Sequence, residues 1–212
     1  MVARKQVEDA VQKALDAGKG RKKFSQSVDL AINFREVDFK KPENRLNVDV
    51  NLPFPPRQSK VAVFADGQLA LEAKNAGADI VVTGLEIAGL ASDAAKRDLV
   101  LSSAVLSSPQ LIAQVGKTLG QALSAKGKTP KPILPNANLK ELISRTRSSV
   151  TVKSKGKYLP TVNCLVGKET QTPEQISDNI ILVLDAVIRK IPETNIASAY
   201  VKLTMGPAFK LM

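Results

Sequence analysis

The chain has 212 residues and carries 31 lysines and arginines against 20 acidic residues, so its net charge is +11. A basic excess of this size favours a polyanionic partner, nucleic acid ahead of a membrane surface. The chain has no histidine and a single cysteine, Cys164, which excludes an internal disulfide and a cysteine–histidine metal cluster and lowers the expectation of catalysis.

The sequence also has no apolar run of about 18 residues that would predict a transmembrane helix. Its first residues lack the apolar core of a signal peptide. Together with the single cysteine, these features lead us to expect a cytoplasmic protein.

The first 60 residues predict one helix and two strands. Apolar side chains at helical spacing predict a helix over residues 7–17, which ends at Gly18. Alternating apolar residues predict half-buried strands over residues 28–34 and 46–52, separated by a polar loop. A proline-rich break follows at residues 53–56.

The pattern changes in the middle of the chain, where continuous apolar segments alternate with helical ones. Strands are predicted at residues 60–65, 79–83 and 98–102, and helices at residues 68–76 and 109–119. This alternation is typical of a small parallel sheet covered by helices on both faces. Residues 116–136 are rich in Lys, Gly and Pro and predict a long surface loop, after which Asn138 is expected to cap a short helix.

From residue 151 the alternating pattern returns. Strands are predicted at residues 151–155, 161–166 and 198–205, and a capping box beginning at Thr172 opens a helix over residues 173–191. Because the two flanks resemble each other, we predict an α/β protein of two domains. A discontinuous α+β split-sheet domain would span residues 1–60 and 151–212, with a net charge of +8, and a Rossmann-like α/β domain would be inserted at residues 61–150.

The last predicted strand stops in Thr204-Met205-Gly206-Pro207. Gly206 has no side chain, so another backbone can approach closely, and Pro207 cannot continue a ladder. An ordinary strand end explains these four residues as well. The alternation places Met205 on the same face as the apolar positions before it.

Two groups of cations are candidates for phosphate contacts. Four of them, Lys19, Arg21, Lys22 and Lys23, lead directly into Phe24, which could pack on a ribose or base. Alternatively, the cations belong to a solvated loop and Phe24 packs in the protein core. Lysines 153, 155 and 157 alternate and so share one strand face, which a solvent-facing sheet also explains. The pair Gly167-Lys168 lacks the spacing of a phosphate-binding loop, and the acidic residues of the middle segment show no metal-binding spacing, so no cofactor is expected.

Three stretches of the sequence resemble one protein family. They are Lys23-Phe24 leading into Ser27, Val166-Gly167-Lys168 followed by Asp178-Asn179, and the Thr204–Pro207 ending. With them the whole chain resembles the ribosomal protein L-one family in its archaeal form, whose members form the mobile side stalk of the large ribosomal subunit. The family often carries Gly-Pro-Arg-Gly in the long loop of its insert, whereas residues 124–132 here contain three lysines instead.

The resemblance implies a non-enzymatic protein that binds the stalk region of the large-subunit ribosomal RNA and is a monomer when free. It also implies binding to the protein's own messenger RNA, with repression of its translation, and contact with deacylated transfer RNA leaving the exit site. The RNA-binding residues that it implies are Lys23, Phe24, Ser27, Asn163, Gly167, Lys168, Thr204, Met205, Gly206 and Pro207. In this interpretation the Thr204 hydroxyl contacts a phosphate or a 2′-hydroxyl, and Met205 supplies an apolar contact.

Two other functions are considered. A two-domain α/β enzyme that closes on a phosphorylated ligand would need a convergent acid–base pair and a phosphate loop, and the sequence offers neither. A DNA-binding module would need a helix-turn-helix or a basic helix, and neither pattern is present.

Overall fold

The computed structural model describes residues 4–18, 20, 22–90, 93–134, 138–154 and 159–212, which contain seven α-helices and ten β-strands. The helices are α1 Arg4–Gly18, α2 Gly67–Asn75, α3 Gly84–Leu90, α4 Ala94–Ser102, α5 Pro109–Ala125, α6 Leu139–Ser148 and α7 Pro173–Ile188. The strands are β1 Ser27–Phe34, β2 Asn47–Asn51, β3 Val61–Phe64, β4 Ile80–Val82, β5 Ala104–Ser107, β6 Lys131–Pro132, β7 Ser149–Lys153, β8 Thr161–Lys168, β9 Ile196–Leu203 and β10 Ala208–Lys210. The α/β class expected from the sequence is confirmed.

The chain divides into two compact units. One is formed by Met1–Arg57 with Ser148–Met212, and we call it the outer unit; the other, Gln58–Arg147, we call the insert. The predicted boundaries lie three residues from these crossings. The Rossmann-like description of the insert stays a prediction.

The outer unit is built on a four-stranded antiparallel sheet with the strand order β10-β9-β1-β8. Along β1 every second residue is buried, from Val28 to Phe34, because the alternation of the sequence points these side chains to one face. Helices α1 and α7 pack on that face and share its core. The other face of the sheet carries half-buried and exposed residues. Strands β2 and β7 form a separate two-stranded antiparallel sheet.

Helix α7 begins where the capping box predicts. Thr172 Oγ1 accepts a hydrogen bond from the Gln175 amide at 3.4 Å, and Gln175 Oε1 accepts one from the Thr172 amide at 3.3 Å. Ile176 and Ile180 are fully buried one turn apart on the core side. Each such side chain stabilises the fold by about 1.5–3 kcal/mol relative to exposure, so α7 is anchored to the sheet along its length.

The insert contains a parallel sheet with the strand order β4-β3-β5-β6. Strand β3 is buried at all four positions because helices cover both faces of this sheet. Buried residues of α3, α4 and α5 form a core on one face with Ala62 and Phe64. Those of α2 and α6 form a second core on the other face with Val61 and Val63.

The strand predicted at residues 98–102 is wrong, because these residues end helix α4. Asp93 caps the helix by accepting a hydrogen bond from the Lys96 amide at 3.1 Å. Val100 and Leu101 are buried, whereas Leu99 is 47% exposed, which fits burial on one side of a helix. The strand is the next segment, β5. The sequence reading also missed the short helix α3.

The long loop predicted at residues 116–136 is also wrong over its first half. Helix α5 continues to Ala125 because Leu119 and Leu123 extend its buried stripe at a spacing of four. Gly116 and Gly120, which contributed to the loop prediction, have open space where a side chain would stand. After the helix, the Lys128 ammonium group donates to the carbonyl oxygens of Ser102 and Ser103 at 2.6 and 2.8 Å, and so closes the end of α4.

The final strand ends earlier than predicted, at Leu203, and does not end the sheet. The Gly206 amide donates to the Leu203 carbonyl at 3.0 Å and closes a turn. Strand β10 then returns along β9, with Ala208 opposite Lys202. Pro207 therefore lies in the hairpin connection between β9 and β10 and does not follow the last strand of the sheet. Within the described residues, no helix is long and apolar enough to cross a membrane.

Candidate nucleic-acid interface

Three segments of the outer unit converge at one end of the four-stranded sheet: the start of β1, the end of β8 and the turn between β9 and β10. We call this place the sheet end. Ser27 lies directly opposite Lys168 in the β1–β8 ladder. The amide of Thr204 donates to the carbonyl of Ser27 at 3.0 Å. The structure thus brings these three predicted residues together, although up to 177 positions separate them in the chain.

The Thr204 hydroxyl is engaged within the protein. It accepts a hydrogen bond from the Ser27 amide at 3.2 Å and approaches the Ser27 carbonyl as a donor at 3.3 Å. A hydroxyl has one proton and two lone pairs, so one acceptor position remains. The hydroxyl is therefore suited to receive a hydrogen bond, as from a ribose 2′-hydroxyl, more than to donate one to a phosphate.

Gln26 holds the sheet end together, although no pattern in the sequence indicates this role. Its side chain is buried, and its Oε1 accepts the Met205 amide at 3.1 Å while its Nε2 donates to the Gly18 carbonyl at 2.7 Å. Its own carbonyl accepts the Glu169 amide at 3.0 Å. One residue thus links the end of α1, the end of β8 and the β9–β10 turn.

A second set of internal hydrogen bonds, from the segment after β8 and from α7, holds the end of β8 in place. Gln171 Oε1 accepts the Lys168 amide at 2.9 Å, and Gln171 Nε2 donates to the Phe54 carbonyl at 3.0 Å. Asn179, fully buried on α7, donates to the carbonyls of Phe54 and Val166 at 2.6 and 2.8 Å. These amides satisfy backbone groups that the end of the sheet would otherwise leave unpaired.

The glycines of the site are explained by packing inside the protein. Gly167 is buried, and a side-chain carbon there would lie 2.8 Å from Ile176 Cγ1. At Gly206 the corresponding distance, to Leu203 Cβ, is 3.1 Å. Both glycines let the chain close on itself, which is a structural reason for them in addition to the approach of an RNA backbone expected at Gly206.

Two large apolar side chains flank the sheet end in solvent. Phe24 is 51% exposed and Met205 is 62% exposed. The alternative that Phe24 belongs to the core is therefore wrong, and so is the inward placement of Met205 suggested by alternation. Lys22 and Lys23 are exposed beside Phe24, and Lys168 is half-buried. Pro207 is exposed as well.

Asn163 lies away from this end. It pairs with Ala31 in the middle of β1, on the open face of the sheet. Lys153 lies on β7, in the separate two-stranded sheet, so it does not join the sheet end. The cations at positions 19, 21, 155 and 157 fall outside the described residues.

Two buried titratable groups of the outer unit are Cys164 and Glu169. Burial, together with the neighbouring Asp29 carboxylate, raises the pKa of Cys164 to about 12, so this thiol stays protonated. Glu169 is buried, and its Oε2 has no hydrogen-bond partner among the described residues. The described residues contain no group of three or more acidic, cysteine or histidine side chains that could hold a metal ion.

Comparison with known proteins gives a consistent result. The sequence model of the Ribosomal protein L1p/L10e family matches residues 11–207. Large ribosomal subunit protein uL1 of Thermofilum pendens is 42% identical over all of this chain and 95% of its own length. The protein of the same name from Methanocella arvoryzae is 39% identical over the full length of both chains, and that from Archaeoglobus fulgidus is 39% identical over 96% of this chain and 95% of its own.

Proposed function

Because the chain belongs to the Ribosomal protein L1p/L10e family, we propose that it is a non-enzymatic constituent of the large ribosomal subunit in the cytoplasm, and that its sheet end binds the stalk region of the large-subunit ribosomal RNA. The observation that carries this proposal is the combination of exposed Phe24 and Met205 with a rigid, internally bonded backbone. Exposed apolar side chains beside lysines suit a surface that meets bases, riboses and phosphates.

Each part of the sheet end has a separate task in this proposal. The lysines at positions 22, 23 and 168 neutralise phosphates and release their counterions. Phe24 stacks on a base or ribose, and Met205 packs against sugar or base carbon atoms. The free acceptor position of Thr204 receives a 2′-hydroxyl, which lets the site tell RNA from DNA.

Rigidity contributes to the affinity. The turn that carries Met205 is held by Gln26 and by the Gly206 amide before any RNA arrives. Ordering a mobile loop or side chain on binding would cost about 0.5–1.5 kcal/mol for each immobilised side chain. The internal hydrogen bonds reduce this cost, so small contact areas suffice for specific binding.

Binding of the full chain and of its parts to a stalk fragment of the ribosomal RNA tests the proposal. We expect the outer unit, made by joining residues 1–57 to 148–212 through a short linker, to fold alone and to keep most of the affinity. The insert, residues 58–147, is the matched control. Binding by the insert alone would overturn the assignment of the site.

Two variants of Thr204 test the role of its hydroxyl group in RNA binding. Thr204→Val keeps the shape and the backbone bond to Ser27 but removes the two hydrogen bonds that the hydroxyl makes with Ser27, whereas Thr204→Ser keeps the hydroxyl. We expect the valine variant to bind the stalk RNA at least fivefold more weakly and the serine variant to bind normally. Equal binding by both variants would remove Thr204 from the recognition of RNA.

The same surface would also bind the protein's own messenger RNA and repress its translation. This part of the proposal is supported by the preorganised shape of the site, which would fit any RNA that presents the same local structure. Adding the protein to a cell-free translation of its own messenger RNA should lower the yield, and added stalk RNA should restore it. Repression that stalk RNA does not relieve would indicate a different site.

Assistance in the release of deacylated transfer RNA from the exit site is the third part of the proposal, and the family resemblance supports it. Ribosomes depleted of the protein should release this transfer RNA more slowly, and adding the full chain back should restore the rate. An unchanged release rate in depleted ribosomes would contradict this part alone.

A further inference from the structure

The open face of the four-stranded sheet carries an ordered grid of side chains beside the sheet end. Residues paired across antiparallel strands project to the same face. Asn163 pairs with Ala31, Ala31 with Tyr200, and Tyr200 with Lys210, so these four side chains form one row across all four strands. All four lie on the face opposite the α1–α7 core.

The row combines one aromatic side chain with small and polar neighbours. Tyr200 is half-buried, and its ring pairs with no other aromatic ring among the described residues. Its neighbour in the row towards β8 is Ala31, whose side chain is a single methyl group. An exposed asparagine and an exposed lysine stand at the two ends of the row.

We propose that this row is a subsite for an unpaired nucleotide of RNA, with the base stacked on Tyr200 above Ala31. Strands are about 4.8 Å apart, so Asn163 stands roughly 10 Å from Tyr200, which is close enough to hydrogen-bond the edge of a base that covers Ala31. Lys210, on the other side of the ring, meets the phosphate. The inference rests on the proposed binding of ribosomal RNA and extends it from the sheet end onto the sheet face.

Two further observations favour RNA as the occupant over a protein. The next row towards the sheet end contains Lys202 opposite Asp29, and the one after it Lys168, so with Lys210 the described residues of this face include three lysines and one acidic residue. Lys168 and Ser27 belong both to the sheet end and to this face, which makes the two surfaces continuous. An RNA strand that leaves the sheet end would therefore meet the Tyr200 row next.

Fluorine spectroscopy on the full chain tests the stacking directly. The chain has two tyrosines, at positions 158 and 200. Incorporation of 3-fluorotyrosine into the Tyr158→Phe variant leaves one fluorine signal, that of Tyr200. We expect this signal to shift on addition of the stalk fragment and to saturate together with binding. A signal that stays unmoved while the RNA saturates would overturn the proposal and would leave this face to a protein partner.

Substitution of Tyr200 gives a second readout. Tyr200→Ala should weaken binding about 5- to 100-fold, the range for loss of one stacked base, whereas Tyr200→Phe should bind within about twofold of the wild type. Tyr200→Leu keeps apolar volume on the strand and guards against a general loss of fold, which thermal melting monitors. The leucine variant should bind as weakly as the alanine variant, and wild-type binding by it would overturn the proposal.

The RNA can be varied in the same way. In a matched stalk fragment whose unpaired nucleotides are closed into base pairs, Tyr200→Ala should bind as well as the wild type. An equal loss with both fragments would overturn the assignment to an unpaired nucleotide. Failure of the wild-type chain to bind either fragment would overturn the proposed function itself, which is a different result from binding without a fluorine shift.

Discussion

The outer unit and the insert each contain a four-stranded sheet, and the two sheets end in different ways. At the carboxyl ends of the insert's parallel strands, where α/β sheets commonly bind ligands, the polar groups bond to their own loops. Asp66 Oδ1 accepts the Gly84 amide at 2.7 Å, and Glu86 Oε2 accepts the Thr83 amide at 3.0 Å. The hydrogen bonds from Thr83 lower the pKa of Glu86.

The sheet end of the outer unit uses its internal polar groups differently. There the side-chain amides of buried Gln26 and Asn179 and of half-buried Gln171 form hydrogen bonds with the backbone groups. The side chains that face solvent at Phe24 and Met205 are left for a partner. The insert's sheet ends where α/β sheets commonly bind ligands, but hydrogen bonds within the protein occupy its polar groups. At the sheet end of the outer unit, internal side chains bond to the backbone, so exposed side chains remain available to a partner.

Substitution of Gln26 should have the largest effect on stability and RNA binding, and the same substitution of Gln114 in the insert is its control. Gln26→Met keeps the length of the side chain but leaves the part-buried Met205 amide and the buried Gly18 carbonyl unpaired, at up to about 1–3 kcal/mol each. We expect a fall of this order in the free energy of unfolding and loss of most RNA affinity. Gln114 donates to the Gly84 carbonyl at 3.1 Å from an exposed position, so Gln114→Met should change stability by less than about 0.5 kcal/mol.

Urea unfolding and stalk-RNA binding measure both effects. Equal losses in the two variants would show that the internal amides of the outer unit have no special role.

The exposed apolar side chains give the next largest effect. Phe24→Ala and Met205→Ala should each weaken stalk-RNA binding about tenfold, because stacking and apolar contacts are worth about 1–3 kcal/mol, and should leave the melting temperature unchanged. Leu85, 95% exposed in the insert, is the control, and Leu85→Ala should change neither quantity. A similar loss of RNA binding in the leucine variant would extend the interface beyond the sheet end.

Charge should contribute a smaller and non-selective part. If four to six phosphates are neutralised, the logarithm of the binding constant should fall with the logarithm of salt concentration at a slope of roughly −3 to −5. Lys23→Gln should flatten this slope by up to about one unit and weaken all RNAs alike. Lys117→Gln, on an exposed position of the insert, should leave the slope unchanged, and an equal change in both variants would indicate a diffuse basic surface.

Asp29 gives the smallest effect, and it depends on pH. Burial raises the pKa of its carboxyl group above the ordinary value of 3.8, against an opposing effect of Lys202. The folded state therefore binds the proton more tightly than the unfolded state, and stability falls as the pH rises through the window between the two pKa values. Asp29→Asn should melt slightly higher than the wild type at pH 7 and equally below about pH 3.

Melting curves across this range decide the matter. A difference in melting temperature that stays constant with pH would show that the carboxylate's charge is not the cause.

Much of the fold could be predicted from periodicity, and the failures have physical causes. Alternation identified β1 and β2, and the capping box identified the start of α7, because these signals are local. The segment at residues 98–102 misled because a short apolar run fits a strand or a buried helix equally well, and the capping bond of Asp93 that decides between them cannot be inferred from periodicity.

The candidate site was predicted in part. Phe24, Thr204 and Met205 stood out through the family resemblance, and the structure places all three near the sheet end. Gln26 and Gln171 did not, because a glutamine in a polar stretch has no periodic signature and its role depends on contacts with distant segments. The alternation on β9 suggested that Met205 faces inward, but the turn closed by Gly206 ends the strand before that residue.

The sheet end also has a consequence for how the protein is made. Ser27 and Thr204 are 177 positions apart, and at a synthesis rate of about 5–20 residues per second the second appears roughly 10–35 s after the first. Strand β1 has no neighbour until β8 emerges in the later part of that interval, and it lacks β9 until nearly its end. During synthesis the strands of the insert are complete before those of the outer unit. A nascent chain therefore lacks its RNA-recognition surface until β9 and the turn after it have emerged.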